Sequence, residues 1–173
     1  MKINLIVMYM FCLSSFIGVA QTKDLAADEF PFDMTFDVQT IDVDKFCLTF
    51  SLELEEGQYA ISPFSEDGFY LPITISWLTP DVNFVQGRLE EIPKSVYEYD
   101  NIVDKQVRFV KQNTSYEQYF DWKVADNASI KGLIELLVEP ACIPFDVNFE
   151  LVSKNGNISV TKIATVISSE YKR

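Results

Sequence analysis

The side chains best suited to covalent chemistry in this sequence are its three cysteines, Cys12, Cys47 and Cys142. A deprotonated thiol is a nucleophile that exchanges with disulfides. The chain contains no histidine, which excludes serine–histidine and cysteine–histidine nucleophile pairs and any histidine-containing zinc site within it. The absence of histidine also removes the commonest general base and the usual pH switch near neutrality.

Cys142 follows a strong apolar strand pattern and lies between Pro140 and Pro144. Three interpretations of its role stay open. It is an inert thiol that behaves as a small hydrophobe, it forms a disulfide with Cys47 if their Cα atoms lie within about 7 Å, or it exchanges as a single thiol with a partner. The acidic neighbours Glu139 and Asp146 are expected to raise the thiol pKa, which disfavours a nucleophile.

The segment 88–104 contains Pro93 and a set of acidic residues, and it reads as a long excursion between strands. The acidic residues are Glu90, Glu91, Glu98, Asp100 and Asp104. Carboxylate oxygens bind calcium, but this spacing lacks the regularity of a calcium loop and favours a solvated acidic surface. We predict no metal site and no cofactor. The net charge of −12 opposes binding to nucleic acid, because like charges repel.

The first twenty residues have the pattern of a secretory signal peptide. Lys2 precedes an apolar run at 3–19, and the small residues Gly18 and Ala20 precede Gln21. We therefore predict a signal peptide at 1–20 and a periplasmic or secreted protein with no membrane span after cleavage. Cleavage leaves Cys47 and Cys142 in a compartment where disulfides persist.

The rest of the chain has the period-two pattern of β-strands. Large apolar residues occupy every second position from Phe46 to Leu54, and Asn155-Gly156 is a strong hairpin-turn signal. About nine or ten such strands separated by turn signals predict an all-β, immunoglobulin-like antiparallel β-sandwich at 35–168. A flexible arm at 21–34 and a tail at 169–173 complete the chain. One aromatic string is predicted to pack in the core and across neighbouring strands rather than to line a carbohydrate- or peptide-binding face: Tyr116, Tyr119, Phe120 and Trp122.

An ordered set of segments resembles a known family. These segments are EGQYAIS at 56–62, LPITI at 71–75, VQG at 85–87 with Pro93-Lys94, IKGLIEL at 130–136 and CIPFDVNFE at 142–150. Together they resemble the N-terminal periplasmic domain of the thiol–disulfide interchange protein DsbD, the disulfide-bond corrector family. The resemblance implies an immunoglobulin-like sandwich with a redox cysteine pair. It also implies periplasmic thiol-disulfide proteins or a membrane electron donor as partners.

The resemblance further implies an aromatic cap loop over the cysteine pair. By position, residues 96–102 correspond to that cap, with Tyr97 or Tyr99 as the covering ring. Tyr59 and Pro144 are further candidates for the cap or for partner binding.

The sequence departs from the family pattern at the cysteines. Cys142 matches the second family cysteine, but Val138 and Glu139 stand where the first is expected. The chain thus resembles a protein-disulfide reductase domain with an incomplete cysteine pair. The first hypothesis is a module that docks thiol-disulfide partners, with Cys142 exchanging. The alternative is a redox-inactive binding or accessory module. A third class is an assembly subunit that adds a partner strand to an exposed sheet edge.

Overall fold

The computed structural model describes residues 30–78, 84–123, 125 and 127–168. Within these ranges the chain forms eleven β-strands and no helix, so no helix there is long and apolar enough to cross a membrane. The strands are β1 (Phe32–Asp42), β2 (Lys45–Leu54), β3 (Ala60–Ile61), β4 (Thr74–Trp77), β5 (Phe84–Ile92), β6 (Tyr97–Asp100), β7 (Lys105–Val110), β8 (Thr114–Trp122), β9 (Ser129–Val138), β10 (Ile143–Lys154) and β11 (Asn157–Ile167).

Two four-stranded antiparallel sheets face each other around one core. Sheet 1 has the strand order β1-β2-β8-β5, and sheet 2 has the order β11-β10-β9-β4. Rings from the two sheets meet in the interior: Phe36 stacks on Phe149 with centroids 5.2 Å apart, and Phe32 meets Phe145 edge-on at 5.1 Å. The predicted all-β fold and antiparallel sandwich are confirmed.

The core follows from period-two alternation on the inner faces of the sheets. In β2 every second side chain from Phe46 to Leu52 is buried, as predicted. Tyr116, Phe120 and Trp122 of the predicted aromatic string are buried too, whereas Tyr119 is half-buried on the outer face of sheet 1. Burying one such large side chain stabilises the fold by about 1.5–3 kcal/mol.

The boundaries of the sandwich differ in one place from the prediction. β1 begins at Phe32, so residues 32–34 of the predicted arm belong to the sandwich, and Phe32 and Met34 are buried. The polar residues before them suggested a longer arm, but Phe32 and Met34 alternate with Asp33 and pair with the end of β2. The predicted signal peptide (1–20), the rest of the arm up to residue 29 and the tail (169–173) lie outside the described residues.

The segment 88–104 is not the long excursion that the sequence predicts. It contains the end of β5 and the whole of β6. β6 pairs with β7 as a hairpin, and β7 pairs with β3, which gives a three-stranded sheet of order β3-β7-β6 at one end of the sandwich. The strand was missed because β6 reads YEYD: it alternates aromatic and acidic residues and has no aliphatic face.

Candidate functional site

Cys142 lies in the turn at 139–142, which joins β9 to β10, and its side chain is exposed. The β9–β10 ladder ends at the Val138–Ile143 pair, because the Glu139 backbone bonds to Tyr59 and the residues after it form the turn. Cys142 has a φ of 53°, a left-handed conformation that costs a residue with a Cβ roughly 1–2 kcal/mol. The turn therefore presents the sulfur at the surface at some conformational cost.

Glu139 controls the ionisation of this thiol. Its side chain is buried at 5% exposure, and its backbone is fixed by two hydrogen bonds with Tyr59, N–H to O at 3.1 and 2.8 Å. The Cys142 Sγ donates to Glu139 Oε2 at 3.0 Å. This hydrogen bond, with burial and the charge of the carboxylate, raises the pKa of Cys142. The prediction that Glu139 disfavours the thiolate is confirmed.

Cys47 does not pair with Cys142, and both thiols are free. Cys47 is buried on the outer face of sheet 1 beside Glu117 and Tyr119, whereas Cys142 lies in a turn of sheet 2. The predicted alternative of a Cys47–Cys142 disulfide is therefore wrong, because Cys47 projects from the outer face of sheet 1, away from sheet 2 and the cysteine turn. Burial and then the charge of Glu117 raise the pKa of Cys47.

An aromatic cluster links the cysteine turn to the β6–β7 hairpin. The Tyr59 ring meets Phe109 edge-on at 5.3 Å, and Tyr70 meets the same ring at 6.3 Å. Tyr70 Oη donates to Asp100 Oδ2 at 2.8 Å, which lowers the pKa of Asp100. Burial and then the carboxylates of Glu139 and Asp100 raise the pKa of Tyr59. Tyr59 is thus the predicted site residue that the structure brings next to the cysteine turn.

Tyr97 and Tyr99, the predicted cap residues, lie on the other face of the hairpin. The register pairs Tyr97 with Arg108 and Tyr99 with Gln106, so alternation directs both rings away from the face that carries Asp100 and Phe109. Tyr97 and Tyr99 are 45% and 54% exposed. The Arg108 guanidinium lies over the Tyr97 ring at 4.3 Å. The structure thus places the two tyrosines on the surface of the hairpin rather than beside the Cys142 thiol.

Pro144 lies apart from both features. It pairs with Leu137 in the β9–β10 ladder and lines an apolar groove of about 380 Å³ with Leu71 and Pro72, beside β4. The Ser168 N–H donates to its carbonyl at 3.0 Å. The candidate site residues are therefore distributed over three neighbouring surfaces: the cysteine turn, the hairpin and this groove.

The acidic set of 88–104 is not a uniformly solvated surface. Glu91 is buried at 2% exposure and accepts hydrogen bonds from the Ser95 N–H at 2.8 Å, Ser95 Oγ at 2.7 Å and Tyr116 Oη at 3.2 Å. The other four carboxylates each have a partner. These pairs are Glu90 with Arg88, Glu98 with Lys111, Asp100 with Tyr70 and Asp104 with Tyr99. In the part of the chain that the structure describes, no group of three metal-ligating side chains occurs.

Sequence reasoning missed Tyr70, Phe109 and Arg108. Their partners lie in distant segments: Asp100 is thirty positions from Tyr70, and Tyr59 meets Phe109 only through the β3–β7 pairing. The one available signal was the alternation of β6, which sorts Asp100 and Tyr97 onto opposite faces.

Comparison with known proteins gives no further identification. No model of a known protein family matches the chain, and no curated protein is similar to it.

Proposed function

We propose that this chain is an extracytoplasmic binding module that docks an extended protein segment along the β6 edge and does not exchange disulfides. The observation that carries the proposal is the position of β6. It is the outer strand of the order β3-β7-β6, and it presents two exposed tyrosines, Tyr97 and Tyr99.

An edge strand has backbone N–H and C=O groups without a ladder partner, so an extended segment can add to it through main-chain hydrogen bonds. Natural proteins commonly protect such edges with charged side chains. β6 has charges on one face, Glu98 and Asp100, but these are held by Lys111 and Tyr70. The other face carries Tyr97 and Tyr99, and tyrosine is a residue type enriched at protein interfaces.

The cysteine turn favours binding over thiol exchange. Cys142 donates to the buried carboxylate of Glu139 at 3.0 Å, which holds the thiol in its protonated form. Exchange through an intramolecular disulfide needs a second thiol, and the other cysteine in the described residues, Cys47, projects from sheet 1. This combination supports the redox-inactive alternative.

The resemblance to the disulfide-interchange domain supports the compartment and the kind of partner. It links the glycine-led strand β9, Cys142 and Pro144 to an immunoglobulin-like module that meets other periplasmic proteins. On this proposal the module keeps the docking end of that fold and has lost the redox pair.

Site-specific photo-crosslinking tests the docking surface. A benzophenone amino acid replaces Tyr99 in one variant and Val43 in a control variant, and both are expressed in the native host. Val43 is 81% exposed in the turn between β1 and β2, at the other end of the sandwich. We expect a protein adduct that survives reductant at position 99 and none at position 43. Equal adducts at both positions, or none at position 99, would overturn the proposal.

Single-thiol exchange is the second candidate function, and the exposure of Cys142 favours it. This function predicts a mixed disulfide between Cys142 and a partner. Acid quenching and alkylation should trap that species in cells that express Cys47→Ser, and Cys142→Ser should abolish it. The binding proposal predicts no such Cys142-dependent species on a non-reducing gel.

A further inference from the structure

We infer that the groove beside Arg108 binds a carboxylate group of the docked segment, and this inference rests on the proposed docking function. The groove has a volume of about 430 Å³ and lies between β5, Phe64 of the β3–β4 loop and Arg108 of β7. Phe64 and Leu89 supply apolar lining, while Lys94 and Arg108 supply positive charge.

The two acidic side chains that line the groove are already occupied. Glu90 pairs with Arg88 at 2.5 Å. Both oxygens of Glu91 accept hydrogen bonds, from Ser95 and Tyr116. Arg88 compensates the charge of Glu90, and the Glu91 oxygens are held by neutral donors, so neither carboxylate pairs with Arg108 or Lys94.

Arg108 has unused hydrogen-bonding capacity. Its Nε is buried and has no acceptor in the part of the chain that the structure describes. Among the same residues, no carboxylate pairs with Arg108 or Lys94. Acidic residues outnumber basic residues by 26 to 14 in the chain. An arginine without a carboxylate partner is therefore unexpected. A buried donor without an acceptor calls for an explanation. A carboxylate reaches the guanidinium from the groove that Arg108 lines, and it meets the buried Nε when the side chain shifts.

The chemistry of the guanidinium selects the ligand. Its planar set of donors matches the two oxygens of a carboxylate, and stacking on an aromatic ring fixes its plane. The Tyr97 ring, 4.3 Å from the Arg108 Cζ, provides that stacking surface. A carboxylate reaches Arg108 in one of two chemical forms, an aspartate or glutamate side chain or the C-terminus of a chain.

The groove and the docking edge meet at Arg108, which lines the groove and neighbours β6. Tyr97 of β6 is the cross-strand neighbour of Arg108, so a segment along β6 passes within one side-chain length of the guanidinium. Phe64, at 37% exposure, gives the groove an apolar wall next to the charge. The site therefore fits an acidic group that follows or precedes an apolar residue.

Nuclear magnetic resonance titration of the ¹⁵N-labelled protein with three capped dipeptides tests this inference. Acetyl-Phe-Glu-amide has only a side-chain carboxylate, acetyl-Phe-Gln with a free C-terminus has only a terminal one, and acetyl-Phe-Gln-amide has neither. We expect at least one acidic peptide to shift the Arg108 Nε–H and Phe64 amide resonances, and to bind about tenfold more tightly than the neutral peptide. The stronger of the two identifies the source of the carboxylate.

Three variants separate a site from a general charge effect. Arg108→Gln and Arg108→Lys are each expected to weaken binding about tenfold, because lysine lacks the planar fork. Lys111→Gln removes the same charge one residue beyond the end of β7, where Lys111 pairs with Glu98, and is expected to change binding less than twofold. Preserved amide spectra of the variants show that they fold.

Equal binding of the neutral and acidic peptides, no shift at Arg108, or equal losses in Arg108→Gln and Lys111→Gln would overturn the inference. These outcomes leave the docking proposal standing if position 99 still cross-links. A lost cross-link with intact carboxylate binding would instead overturn the docking function.

Discussion

The body of the sandwich and the three-stranded sheet at its end use aromatic side chains in opposite ways. In the body, Phe50 and Tyr116 stack with centroids 4.8 Å apart and have no exposed surface. In the three-stranded sheet, Tyr97 and Tyr99 lie about half exposed on an edge strand. Buried rings contribute apolar area to stability, whereas exposed rings on an edge are available to a partner. The difference assigns stability to the body, and on the proposed function it assigns binding to the end.

The largest test of this division compares one aromatic residue from each region. Trp122→Ala is expected to lower the free energy of unfolding by about 3–5 kcal/mol, because it leaves a cavity in the core. Tyr99→Ala is expected to change it by no more than about 0.5 kcal/mol. Urea denaturation measures both. Comparable losses in the two variants would show that the hairpin also carries the stability of the fold.

A second test adds volume to the body instead of removing it. A Cβ at Gly132 would overlap the ring of the buried Phe149 on the neighbouring strand, so Gly132→Ala is expected to destabilise the protein by about 1–3 kcal/mol. Lys131→Ala, at the exposed neighbouring position, is the control and is expected to be close to neutral. In the double variant with Phe149→Leu, the cost of the added methyl group should shrink. If Gly132→Ala is equally destabilising in both backgrounds, the Phe149 ring is not the source of the strain.

The sequence predicted the body well and the end poorly, for physical reasons. The inner face of β2 can be predicted because large apolar residues alternate with small or polar ones from Phe46 to Leu52. Burial of that face fixes the pairing register of the strand. β6 has no core face of its own, so its YEYD pattern carries no hydrophobic signal. The Cys142–Glu139 contact was within reach because it is local, whereas Tyr70–Asp100 and Tyr97–Arg108 depend on loop closure and strand pairing.

A smaller effect concerns the loop that presents Tyr70. Burial alone would raise the pKa of Asp67, but hydrogen bonds from Ser65, Tyr70 and Phe69 outweigh it and lower the pKa below the ordinary 3.8. A lowered folded-state pKa contributes stability above pH 4, and this stability is lost as the pH falls through the folded-state pKa. Asp67→Asn should remove this contribution, about 1 kcal/mol, from the stability that the protein loses in acid.

Unfolding measured from pH 6 down to pH 2 checks the Asp67 prediction. The acid slope of Asp67→Asn is expected to be shallower than that of the natural sequence. Glu66→Gln is the matched control, since Glu66 is the exposed neighbouring carboxylate. Parallel slopes for Asp67→Asn and the natural sequence would contradict the account of this loop.

The smallest expected effect concerns the reactivity of the Cys142 thiol and not the stability of the fold. Glu139 raises the pKa of Cys142 by accepting a hydrogen bond from the thiol and by its negative charge, so Glu139→Gln lowers that pKa and increases the thiolate fraction at pH 7.5. We expect iodoacetamide to alkylate Cys142 roughly threefold to tenfold faster in this variant. Glu135→Gln, an exposed acidic change in β9, should leave the rate unchanged. A rate that stays the same in Glu139→Gln would remove Glu139 from control of the thiol.

Cross-linking from position 99 in the presence and absence of the Cys142 thiol tests the claim of docking without exchange most directly. The benzophenone variant at Tyr99 is expressed in the native host with the natural Cys142 and with Cys142→Ser, and the adducts are compared by mass after reduction. We predict the same adduct in equal yield in both backgrounds, because the β6 edge and its tyrosines bind the partner. Loss of the adduct in Cys142→Ser would contradict this claim and assign the interaction to thiol exchange.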